Sequence, residues 1–166
     1  EFYRLALKED PTHMLSLVNL ASCLGDEHRH REARPLLQAA LAQEKADNPH
    51  YHVALGNYAN NVGTLDQDLE KELELHSEAL HLSPTNIQHK VNVFRCQLCT
   101  GRIDQAKRNR ATLPPGFTKR PEMGLLNLLF TYIAEFEWVH PLFDVFFYES
   151  LCKLSADNEI AEWSIR

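Results

Sequence analysis

Two cysteines stand three residues apart in 96-CQLC-99. Such a pair can hold zinc or cycle between dithiol and disulfide. A strong zinc signature needs a second ligand pair at matching spacing, and His89 and Cys152 are the only other candidates and form no pair. Redox chemistry would want a strand ahead of the motif, and this segment reads as a helix, so Cys96 and Cys99 are expected to pack as small apolar residues. His28 and His30 flank Arg29, and His50 and His52 bracket Tyr51. Either His-x-His pair can bind a metal weakly, but neither has carboxylate support. Glu72 and His76 lie one helical turn apart, the spacing of a surface pair. No glycine-rich phosphate loop, nucleophile elbow or H-E-x-x-H motif is present. The expectation is a non-enzymatic segment with no catalytic residues, no metal and no cofactor.

The elements that carry these residues come next. The chain has 166 residues, of which 44% are hydrophobic and 24% charged, the composition of an ordered domain able to bury a core. Its 17 basic and 23 acidic residues leave a net charge of −6. An acidic chain is a poor general binder of nucleic acid, because phosphate contacts need a basic face. The longest apolar run, 124–134, contains Asn127, Thr131 and Tyr132 and falls short of the ~20 residues of a membrane helix. Four cysteines and no visible secretory signal favour a reducing, cytoplasmic setting.

The chain repeats itself. The windows 17-LVNLASCL-24, 55-LGNYANNV-62, 90-KVNVFRCQ-97 and 125-LLNLLFTY-132 each place asparagine third and an apolar residue fourth. The aligned asparagines are Asn19, Asn57, Asn92 and Asn127, spaced by 38, 35 and 35 residues. After the first three windows a glycine follows (Gly25, Gly63, Gly101), then a helical pattern, then a proline. Ala33, Leu37 and Ala40 recur at helical spacing, as do Leu69, Leu73, His76 and Leu80. The predicted unit is helix, glycine turn, helix, proline-marked turn.

These features resemble the tetratricopeptide repeat family, whose second helix carries a small residue, an aromatic and a further small residue ahead of a proline. The opening 3-YRLALKEDP-11 looks like the end of such a helix. Four extra residues precede Pro49, Glu72 takes a small-residue slot and Arg110 takes the aromatic slot. The resemblance covers residues 1 to about 115 and implies an all-α, right-handed superhelical solenoid of antiparallel helix pairs. The expected division is 1–13 as the end of a preceding repeat, and repeats at 14–49, 50–84 and 85–118. A degenerate repeat at 119–154 and the start of a further or capping helix at 155–166 complete it. Starting inside one repeat and stopping inside another, the chain reads as an excerpt of a longer array.

The resemblance further implies that first helices line a concave groove. There Asn19, Asn57, Asn92 and Asn127 would form a row of amides, with Ser22, Asn60, Arg95, Val18 and Gly56 among the groove residues. Each amide offers two donors and an acceptor, a match for a peptide backbone whatever its side chains. Two readings of the row stand side by side: a ladder that grips an extended peptide, and a structural row that braces neighbouring repeats. Asn61 is expected to serve the turn before Gly63. Relatives that clamp acidic chaperone tails use lysines near such asparagines. None occupies the matching positions here, so a carboxylate clamp is not expected.

The charged residues of 66–78 are acidic but for Lys71, and those of 102–120 are basic but for Asp104. Two readings of this pattern stand: a complementary outer surface, which is the expected one, and a basic docking patch on the outer face. Phe143, Phe146 and Phe147 share one helical face in an aromatic C-terminal region that either packs in the core or pairs two copies as a homodimer. The expected function is a protein-binding module for a peptide or partner segment, without nucleic acid or membrane. The alternatives are a substrate-docking arm of a larger enzyme, such as an O-linked N-acetylglucosamine transferase, and a small chaperone of secreted proteins.

Overall fold

The computed structural model describes residues 1–43 and 48–114. Asn127, the segments 119–154 and 155–166, the C-terminal aromatics and Cys152 lie outside the described residues. Two compact units are present, Glu1–His89 and Lys90–Arg166. The described chain is all-helical. In the first unit run α1 (Phe2–Glu9), α2 (Met14–Asp26), α3 (His30–Leu41), α4 (Tyr51–Asp66) and α5 (Leu69–Leu82). Helix α6 (Ile87–Cys99) begins there and continues into the second unit, where α7 (Ile103–Ala111) follows.

Within the first unit α1 packs on α2, α2 on α3, α3 on α4 and α4 on α5, with a further α2–α4 contact. Ala33, Ala40, Ala54, Ala59 and Ala79 are all buried, so helix axes approach closely wherever a methyl is the whole side chain. Three apolar clusters follow. Met14, Leu17, Val18, Ala40 and Ala54 join α2, α3 and α4; Ala21, Leu24, Ala33 and Leu37 close α2 on α3; Leu55, Ala59, Val62, Leu75 and Ala79 close α4 on α5. Leu37, 2% exposed, is a representative anchor; truncating such a leucine costs about 2–5 kcal/mol. In the second unit Asn109 Nδ2 donates to the Lys90 carbonyl at 2.9 Å and ties α7 to α6.

Asparagine and aspartate cap two of the helix starts. Asn86 Oδ1 accepts from the His89 amide at 3.1 Å at the start of α6, and Asp68 Oδ1 accepts from the Lys71 amide at 2.9 Å at the start of α5. Each satisfies an amide that the first helical turn cannot.

The aligned glycines do not all make turns. Helix α2 runs through Gly25, and the left-handed residue that ends it is His28, at φ 58°. The Arg29 amide reaches back to the Leu24 carbonyl and the His28 amide to the Gly25 carbonyl, closing a Schellman motif. Helix α4 likewise runs through Gly63 to Asp66, and Gln67 takes the left-handed position at φ 56°. Only Gly101, at φ 71°, fills the expected role, with the Arg102 amide bonded to the Gln97 carbonyl. The glycine turn predicted at 25 and 63 is therefore corrected. A glycine is permitted in a left-handed slot but does not create one, and here His28 and Gln67 occupy the slots.

The Cys96–Cys99 pair is not two matched thiols. Cys96 is buried and outside any disulfide, as packing in a helix predicts, whereas Cys99 is disulfide-bonded, a departure from the reducing-compartment expectation.

Candidate functional site

Leu15, Asn19, Ser22 and Asp26 follow one another at helical spacing on α2 and form its outward stripe. Val53, Asn57, Asn60 and Thr64 do the same on α4. Asn19 and Asn57 occupy equivalent places on two helices that pack against each other. Both are half-buried, and neither carboxamide takes part in a hydrogen bond among the described residues. That is uneconomical for the helix alone. Asparagine lowers helix propensity by roughly half a kcal/mol, and no local bond offsets it here.

The other expected groove residues divide. Ser22 is exposed on the α2 stripe. Asn60 is exposed as a residue, yet its Oδ1 lies 3.0 Å from His76 Nε2 and accepts a hydrogen bond from it. Asn92 and Arg95 belong to the second unit and are 8% and 7% exposed, so they are buried rather than open to a ligand. Val18 and Gly56 are buried as well, the former in the apolar core and the latter against His89. Asn127 lies outside the described residues.

Bracing falls to Asn61, which the sequence assigns to a turn. It is 2% exposed. Its Oδ1 accepts from Arg34 Nε at 2.7 Å, and its Nδ2 donates to the His30 carbonyl at 2.7 Å. The Arg34 guanidinium continues to Asp66 at 2.9 and 3.0 Å and sits 6.0 Å from the centre of the Tyr58 ring. One amide thus stitches α3 to the middle of α4, and one arginine stitches α3 to its end. The correction has a simple cause: α4 does not turn at Gly63, so Asn61 faces α3 from inside a helix.

A second polar row lies along the side of α4 marked by His52, Gly56, Asn60 and Gly63. His52 Nδ1 and His89 Nε2 are 2.8 Å apart, their rings edge-to-face at 89°. A Cβ on Gly56 would stand 2.9 Å from the His89 ring, so only glycine lets that ring lie against α4. A Cβ on Gly63 would run into the Glu72 carboxylate. Glu72 and His76 are 3% and 0% exposed and lie 3.6 Å apart. The surface pair predicted from their spacing is therefore a buried one, because Gly63 leaves the room that a side chain would fill.

Burial, then the neighbouring charges of His52 and His76, push the His89 imidazole down to about 4. Burial and then His50 lower His52 as well. Sequence reasoning placed His50 and His52 only as a weak metal pair; the partner that matters to His52 is 37 residues away. The available signal was the recurrence of His52, Gly56, Asn60 and Gly63 on one lateral face of α4, opposite Glu72 and His76 on α5.

Compared with known proteins, the chain matches no protein-family model, no curated protein and no solved structure. No helix among the described residues is long and apolar enough to cross a membrane.

Proposed function

We propose that the chain is a non-catalytic, tetratricopeptide-like solenoid of helix pairs that binds an extended peptide or partner segment in a groove lined by its first helices. What supports the reading is the uncommitted state of Asn19 and Asn57. Two helices bear the same helix-weakening residue at the same register, and neither amide is hydrogen-bonded among the described residues. A carboxamide can donate to a peptide carbonyl and accept from a peptide N–H at once. Leu15, 41% exposed, and Val53 supply apolar flanks on the same stripes. The bracing reading of the row loses ground at these two positions, because Asn61 performs that task between α3 and α4.

The test is to pan a random peptide library on the full chain and titrate the selected peptides against an Asn19→Ala/Asn57→Ala double variant. Counting about 1 kcal/mol for each lost carboxamide, the pair should weaken binding roughly 30-fold with helix content unchanged. Methylating the peptide backbone nitrogens that face the groove should cost a similar factor. Equal affinity for wild type and double variant would remove the amide mechanism.

A further inference from the structure

Between α4 and the first turn of α6 the His52–His89 contact admits a single hydrogen between its two facing nitrogens. His89 Nδ1 is buried and has no hydrogen-bond partner. It lies against Gly56, where even a methyl would come within 3.2 Å of it. These facts fix the neutral arrangement. His89 Nε2–H donates to His52 Nδ1, and His89 Nδ1 stays bare, because an orphan buried N–H costs more than an orphan lone pair facing a hydrocarbon. Adding one proton while keeping the contact then has a single outcome. Whether the extra charge is drawn on His52 or on His89, the hydrogens occupy His52 Nε2, the shared position and His89 Nδ1. The last is a buried donor with no acceptor.

We propose that the His52–His89 pair is a proton-operated latch that holds the first turn of α6 against α4 at neutral pH and releases it in acid. The inference does not depend on the Asn19–Asn57 stripe binding a peptide. The groups facing the pair make its response one-directional. On α4, His50 lies two residues from His52 and its charge opposes a second proton there. On α5, His76 opposes a proton on His89, while Glu72 stands 3.6 Å from His76 Nε2. Gly56 contributes the slot itself. A histidine held below its ordinary 6.5 stabilises the fold above that pH, and its contribution is lost as the pH falls from 6.5 through about 4.

The experiment uses the full chain and two readouts. A long-range 1H–15N imidazole spectrum distinguishes bare from protonated ring nitrogens, and it should show His89 Nδ1 bare at pH 7.5. Hydrogen exchange of residues 84–93, corrected for intrinsic rates, should lose protection by about tenfold per pH unit between 6.5 and 4, the slope of one linked proton. His89→Gln should flatten that slope. His52→Gln leaves the Gly56 slot intact and keeps the measurement decisive if the first variant does not fold: with the His52 charge gone, His89 should titrate at a higher pH. A protonated His89 Nδ1 at pH 7.5, protection that does not change with acid, or a His89 titration indifferent to His52→Gln would each overturn the proposal.

Discussion

The α2–α3 and α4–α5 hairpins carry the same motif in sequence and close by different physics. Across α2 and α3 the contact is hydrocarbon: Ala21 and Leu24 against Ala33 and Leu37. Their nearby ions, Arg29 with Glu27 and Glu32, remain on the surface and contribute little. Across α4 and α5 a comparable apolar cluster is flanked by buried Glu72 and His76, with Asn60 capping the imidazole. The glycines tell the two apart. Nothing lies within 4 Å of a Cβ built on Gly25, whereas one on Gly63 meets the Glu72 carboxylate. An apolar seam tolerates sliding by a methylene or so. A buried polar seam does not, because a displaced partner leaves a desolvated group unpaired. The second hairpin is therefore the one whose register is fixed.

The comparison can be broken at several strengths. Asn61→Leu should cost the most, about 2–4 kcal/mol in urea unfolding, since it strips Arg34 Nε and the His30 carbonyl of their partner in a buried place. Gly63→Ala should destabilise by about 1–3 kcal/mol through overpacking against Glu72, and Gly56→Ala similarly against His89. Gly25→Ala should go the other way, gaining up to ~1 kcal/mol from helix propensity in open space. The opposite signs are the sharpest check: a stabilising Gly63→Ala, measured the same way, would erase the distinction between the hairpins. Asp68→Ala should cost about 1 kcal/mol by uncapping α5, a loss with no counterpart in α3, which starts without a side-chain cap.

Much of the helix pattern was legible in local spacing. Ala33, Leu37 and Ala40 are all buried on one side of α3, and Pro11, Pro49 and Pro84 each fall in a connection between helices. What could not be read was decided across the fold. Gly25 and Gly63 look like Gly101 in an alignment, but a left-handed residue is set by where the helix runs out of packing, and His28 and Gln67 carry no strong turn signature. Asn57 and Asn61 are the same residue type on the same helix. One is uncommitted and one is buried because α3 places Arg34 and the His30 carbonyl opposite the second alone. The one-turn spacing of Glu72 and His76 was visible, but their burial depends on a missing side chain at Gly63.

Pro35 lies inside α3, five residues past its start and on the exposed side. It withholds the amide that the Arg31 carbonyl would accept from, and an interior proline penalises a free helix by about 3 kcal/mol. A chain of this length cannot offset that by local order. Ala33, Leu37 and Ala40 must find α2 and α4 before the segment coils. During folding, then, α3 is a follower: its neighbours template it, and any lesion that delays them leaves this stretch extended and open to proteases.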